Sequence, residues 1–221
     1  MLCRNIMLVL ILGLLLTHPM HGEAWHEDPC LKLARGLRLL GAEDIYYRGT
    51  YFICTEGAEA DQLIRKIITA RSAVKSNSAD WRLGRGLDES YMVLQVSGWD
   101  YRECRELADS MIYALGPEKR LLGQTWQLEC YLKEKTGDLA RLGQSLVYKL
   151  GGDIYSIQAY NQAVHLLAYA PWPGEKLLLE DGPVNLDLEL FFEPANNAVR
   201  LRIGNPVLLT LTYFQEPKYT Q

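Results

Sequence analysis

Apolar residues recur at every third or fourth position in some stretches of this chain and at every second position in others. The change of period divides it into helices and strands. Asp28-Pro29 supplies an N-cap followed by proline at the first helical position. Leu33, Leu37 and Leu40 then keep helical spacing until Gly41. Ala60, Leu63, Ile64, Ile67, Ile68 and Val74 predict an amphipathic helix over about 58–75. Asp100 and Glu103 form a capping-box pattern ahead of Cys104, Leu107, Ala108, Met111, Ile112 and Leu115, and Gly116-Pro117 ends that helix. Asp138 opens another, with Leu139, Leu142, Leu146, Val147 and Leu150 on its apolar face and Gly151-Gly152 as its stop.

Strands are predicted at Ile45–Thr55, which is rich in Tyr, Phe, Ile and Thr, and at Trp81–Leu87 and Ser90–Trp99, an antiparallel pair joined through Asp88-Glu89. Trp126, Leu128, Cys130 and Leu132 alternate with polar neighbours as a half-buried strand. Further strands are predicted at Ile154–Ile157, Gln162–Tyr169, Lys176–Leu179, Val184–Phe192, Ala198–Ile203 and Val207–Phe214. Around the turn Pro194–Asn197, placing Glu193 opposite Ala198 sets Phe192 against Val199, Leu190 against Leu201 and Leu188 against Ile203. On the other side Glu189 then faces Arg202, with Asp187 and Arg200 expected to lie diagonally near; a slip by one residue would expose the whole apolar set.

A strand, an amphipathic helix and antiparallel strands thus occur twice. The expected architecture is α+β, one curved antiparallel sheet from two related halves with helices packed on one face. It occupies a single domain over 25–221 with pseudo-repeats at about 45–115 and 124–214. The opposite face, carrying the charged members of the alternating strands, is expected to be open to water or a partner.

The N-terminus changes the setting. Arg4, the apolar run Ile6–Leu16, the breaking Pro19 and the small-residue exit Gly22-Glu23-Ala24 follow the order of a signal peptide over residues 1–24. The run is shorter than the roughly 20 residues a spanning helix needs. A secreted or extracytoplasmic protein of the cell envelope is expected, touching membrane only through that segment if it is uncleaved. The formal charge of −4 argues against nucleic acid as a partner. Export also permits disulfides, in any of three connectivities, among Cys30, Cys54, Cys104 and Cys130. Cys104 and Cys130, which fall on apolar faces, are open to the alternative reading of free, buried thiols.

The stretch Gly182-Pro183-Val184-Asn185-Leu186 through Arg202-Ile203-Gly204-Asn205-Pro206, with Glu89-Ser90 to Asp100-Tyr101 and the signal peptide, resembles the YwmB family of exported Firmicutes proteins. The resemblance implies a fold like that of the TATA-box-binding protein, a saddle of two related halves, and an extracytoplasmic protein without an established activity.

No nucleotide-binding glycine loop, zinc-protease motif, serine-hydrolase elbow or calcium loop occurs in the chain. Wide cysteine spacing without paired histidines gives no zinc signature, and no cofactor is expected. Gly84-Arg85-Gly86 is read as a bulge or bend. His165 beside a cysteine would suit a nucleophile pair, although a satisfied strand histidine is the simpler reading. Asp187 and Glu189 lie two apart on one strand face, as an acid–base pair acting on a glycan would require, yet facing Arg200 and Arg202 they read as ion pairs. Trp126 is expected in the core, and the loop residue Trp172 is the better contact residue. The chain is therefore read as a non-enzymatic binding or scaffold domain engaging an unknown envelope protein or wall polymer. Its candidate binding residues are Arg200, Arg202, Asp187, Glu189 and Trp172. The rival is a wall-glycan hydrolase using the strand carboxylates.

Overall fold

The computed structural model describes residues 28–54, 60–73, 79–85, 91–116, 121–133, 138–171, 176–179 and 182–206. The expected signal segment, Trp172 and the expected last strand lie outside them. The described chain is a mixed α+β fold with antiparallel strand pairing and four helices, and it divides into two compact units. Tyr47–Thr125 forms the first unit; the described residues up to Tyr46 and those from Trp126 onward form the second.

In the first unit, β1 (Ile45–Cys54) pairs with β3 (Tyr91–Gly98), which pairs in turn with β2 (Ala79–Arg85). Helices α2 (Ala60–Ala73) and α3 (Tyr101–Ala114) follow β1 and β3. Asp100 caps α3 as its sequence position requires, accepting a 3.1 Å bond from the Glu103 amide. The helix is terminated by Gly116 at φ +86°, a left-handed conformation that glycine adopts without a Cβ clash. Tyr47 on β1 meets Tyr101 on α3 with ring centroids 5.5 Å apart. Leu107, Cys104 and Met111 are fully buried along the same helix.

The expected open polar face is only partial in this unit: Asp80 and Arg82 are exposed on it and Arg48, Gln95 and Ser97 half-buried. Thr50, Phe52, Tyr91 and Val93, on the face away from Tyr51 and Leu94, are buried too, because β1 and β3 carry large apolar residues at consecutive positions. Gly84 is not a bulge: it sits in an unbroken ladder opposite Val93.

The second unit orders its strands β4-β10-β9-β6-β5, where β4 is Leu121–Leu132, β5 Asp153–Tyr160, β6 Ala163–Tyr169, β9 Leu186–Glu193 and β10 Ala198–Asn205. Only the part of β4 from Trp126 belongs to it. A small ribbon, β7 (Leu177–Leu179) with β8 (Gly182–Val184), interrupts the run from β6 to β9. The β9–β10 register is the one the alternation requires: Glu193 opposite Ala198, Leu190 opposite Leu201, Glu189 opposite Arg202. Leu128, Cys130, Leu166, Leu188, Leu190, Leu201 and Ile203 are buried on one side of these strands.

Helix α4 (Leu139–Lys149) covers that apolar side. Gly143 makes the approach possible, since a Cβ there would lie 2.6 Å from Leu166 Cδ1 and 3.2 Å from Leu190 Cδ1. Helix α1 (Pro29–Leu39) packs beside the C-terminal end of α4, with a Cβ at Gly36 falling 2.9 Å from Leu150 Cδ2. The order strand, helix, strand, strand recurs as β1-α2-β2-β3 and β4-α4-β5-β6. Pairing differs, because β1 neighbours β3 directly whereas β10 and β9 stand between β4 and β6.

No disulfide joins Cys30, Cys54, Cys104 and Cys130, so of the two readings of the cysteines the structure has the reduced one. Cys104 and Cys130 are packed as small apolar side chains, and burial pushes their thiols up to about 11 and about 12, away from thiolate chemistry.

Candidate binding face

The side of the β4-β10-β9-β6-β5 strands away from α4 carries the second, fourth and sixth members of each alternating pattern, and the ladder places these in rows. One row reads Gln158, His165, Glu189, Arg202 and Glu129 across β5, β6, β9, β10 and β4. The next reads Tyr160, Ala163, Phe191, Arg200 and Tyr131. Directly opposed residues share a face, so neither row can be rearranged without a register shift.

Within the first row and its edge, opposite charges alternate. Arg202 Nη1 donates to Glu189 Oε2 at 2.7 Å, and Arg202 Nε stands 4.0 Å from Glu129 Oε2. Arg200 lies 3.5 Å from Glu129 on one side and 3.5 Å from Glu193 on the other. Each guanidinium therefore bridges two carboxylates, and each of these side chains is partly screened from water. The chain of charges continues through Glu189 to His165, whose Nε2 is 2.5 Å from Asp187 Oδ1. The hydrogen bond to Asp187 raises the His165 pKa above its ordinary value; partial burial opposes this, and the charges of Asp187 and Glu189 reinforce it.

Asp187 and Arg200 are not the diagonal neighbours the hairpin was expected to make them. Asp187 lies opposite Gly204, four positions along the ladder from Arg200, which is about 13 Å at the strand rise. The partner for Asp187 here is His165, and Arg200 turns to Glu129 and Glu193. His165 does not pair with Cys130, which sits on the α4 side of the strands while His165 sits on the other; its partner is Asp187. Asp187 and Glu189 share a face, as their spacing requires, but each is engaged by a cationic or titratable neighbour. Among the described residues no group of three or more His, Cys, Asp and Glu side chains is arranged to hold a metal ion.

The residues that sequence reasoning missed are aromatic. Tyr160 is 61% exposed, Tyr131 43% and Phe191 37%, and all three belong to the second row. Two strand spacings separate each from the next, about 10 Å. The Tyr160 hydroxyl donates to Gln158 Oε1 at 2.7 Å, fixing one end of the row. The missed signal was the alternation itself: Tyr131 and Phe191 occupy the polar phase of their strands. Toward the other end the face closes, with Gln127, Asp187 and Gly204 buried. There Asn185 both donates to and accepts from the Ala170 backbone at 2.8 Å, and Asn205 donates to the Asn185 carbonyl at 2.9 Å.

No helix of the described residues is long and apolar enough to cross a membrane. No protein-family model and no curated protein matches the chain. Among solved structures it is similar to the regulatory subunit of aspartate kinase from Thermus flavus, at 12% identity and a TM-score of 0.23, with 74% of this chain and 83% of that one covered. The ligand-free regulatory subunit of aspartate kinase from Thermus thermophilus is similar at 11% identity and a TM-score of 0.22, with the same coverage.

Proposed function

We propose that this chain is a non-enzymatic binding or scaffold domain of the bacterial cell envelope, which holds an envelope protein or a wall polymer on the charged and aromatic face of its second unit. The observation that carries the reading is the row of exposed Tyr160, Phe191 and Tyr131 beside a set of ion pairs that neutralise one another. Arginines already bridged by carboxylates offer little to a polyanion. Flat aromatic surface next to fixed polar groups suits a neutral polymer or a polypeptide, where buried aromatics provide most of the binding energy. Export is inferred from the order of residues over 1–24. The repeated strand–helix–strand–strand order supports a duplicated, TATA-box-binding-protein-like ancestry of the YwmB kind.

Substitution of Tyr131 and Phe191 by serine leaves the ion pairs intact and is expected to abolish recovery of the partner after reversible cross-linking in intact cells. Charge reversal at Arg200 and Arg202 is expected to weaken it as well. Recovery unchanged in both variants removes this face from the account. Release of fragments from purified wall, lost in Glu189→Gln, would replace the account with the hydrolase.

A further inference from the structure

The whole-chain charge of −4 conceals a segregated positive surface. Helices α1 and α4 contain Lys32, Arg35, Arg38, Arg141 and Lys149 and no aspartate or glutamate. The N-caps Asp28 and Asp138 are engaged, their carboxylates accepting backbone amides at 2.8 and 2.9 Å, and among the described residues the next acids, Glu43, Asp44 and Asp153, lie beyond the C-terminal ends. The five cations lie on the outward sides, because Leu33, Ala34 and Leu37 of α1 and Gly143, Leu146 and Val147 of α4 point inward. The two helices are neighbours within the second unit through Gly36 and Leu150.

Apolar groups stand among these cations. Leu39 is 83% exposed and Tyr148 63%, and Leu31 is exposed as well. Arg141, Gln144, Ser145, Tyr148 and Lys149 line a shallow depression of about 410 Å³ along α4. Cations around exposed leucine and tyrosine are the composition of a helix face that lies on a lipid surface, the charges at headgroup level and the apolar side chains in the acyl boundary. A hydrated polyanion would satisfy the cations but leave Leu39 and Tyr148 in water.

We infer that the outward face of α1 and α4 docks on an anionic phospholipid surface. Because α4 covers the opposite side of the strands from Arg200 and Arg202, such docking leaves the charged and aromatic face free for its partner.

The test uses the purified full chain, sedimented with vesicles of phosphatidylcholine alone or of phosphatidylcholine with phosphatidylglycerol. The leading apolar run and Arg4 are common to every variant, so the change in the ratio between the two vesicles on substitution is the readout. At low salt the expected partition is at least ten-fold in favour of the anionic vesicles, falling as salt rises. Each cation contributes about five-fold. Arg141→Gln with Lys149→Gln removes two of the five cations and is therefore expected to lower that ratio by up to about 25-fold, and Arg141→Glu with Lys149→Glu further. Leu39→Ser with Tyr148→Ser is expected to lower binding to anionic vesicles without changing binding to soluble polyphosphate. Equal partition to both vesicles, or indifference to the Arg141 and Lys149 variants, overturns the inference. Binding that follows charge alone, equal on polyphosphate and insensitive to Leu39 and Tyr148, overturns the lipid assignment in favour of a soluble polyanion.

Discussion

His165 on β6 reaches diagonally to Asp187 on β9, Nε2 to Oδ1 at 2.5 Å, and thereby closes the end of a chain of alternating charges that begins at Glu193. The bond favours the imidazolium. A histidine whose pKa is raised in the folded protein adds stability that is fully present below its unfolded value, near 6.5, and that disappears as pH rises through the folded value. The thermal midpoint of the wild type is expected to exceed that of His165→Gln most at pH 6, with the gap shrinking toward pH 9. A gap that widens with pH would reverse the assignment of charge at this pair.

Arg202 bridges Glu189 and Glu129 with only a fifth of its side chain exposed. Exposed ion pairs contribute roughly 0–1 kcal/mol, and a partly buried guanidinium with two carboxylates belongs at the upper end. Arg202→Met is expected to cost about 1 kcal/mol in denaturant unfolding, and Glu189→Gln introduced with it to cost less than the sum of the two. Strict additivity would mean that the pair is not coupled.

Gly143 brings α4 close to the strands, facing the fully buried Leu166 and Leu190. Alanine is favoured over glycine in a helix by about 1 kcal/mol, but overpacking a filled core costs about 1–3 kcal/mol. Gly143→Ala is expected to destabilise by about 1 kcal/mol net, and Gly143→Ala with Leu166→Val to recover part of that loss. Stabilisation by the single substitution would show that the helix stands further from the strands.

Cys104 and Cys130 are buried, with thiols raised to about 11 and about 12. Both are expected to resist alkylation at pH 8 in the folded protein and to react in denaturant without reductant. Failure of the denatured chain to react at these positions would indicate a disulfide.

Much of the second unit was legible in its alternation. Leu188, Leu190, Leu201 and Ile203 admit one register that buries them together, and that register brings Glu189 to Arg202 with no further information. Helix caps at Asp28, Asp100 and Asp138 were equally legible, because the capping oxygen and the amide it accepts lie within three residues. The first unit was harder. Phe52 and Tyr91 are buried opposite Tyr51 and Leu94, and a strand apolar on both faces carries no period that says which face meets helix. The partner of Asp187 was missed because side-chain reach along a diagonal, here toward His165, depends on which neighbouring strand lies alongside; only the β9–β10 hairpin was assigned from sequence, and β6 flanks β9 on the other side. The basic helical face was hidden by the acidic total, since net charge says nothing of where charges sit.

In the proposed function, the face bearing Tyr131, Phe191 and Tyr160 contacts the partner. A photo-cross-linking amino acid placed at Tyr131 in the exported protein, activated in intact cells, tests it most directly. A discrete covalent adduct is expected from Tyr131, lost when Phe191→Ser is added, and none from a probe at Arg105, which lies on α3 of the first unit. No adduct from Tyr131, or one that survives Phe191→Ser unchanged, would contradict it.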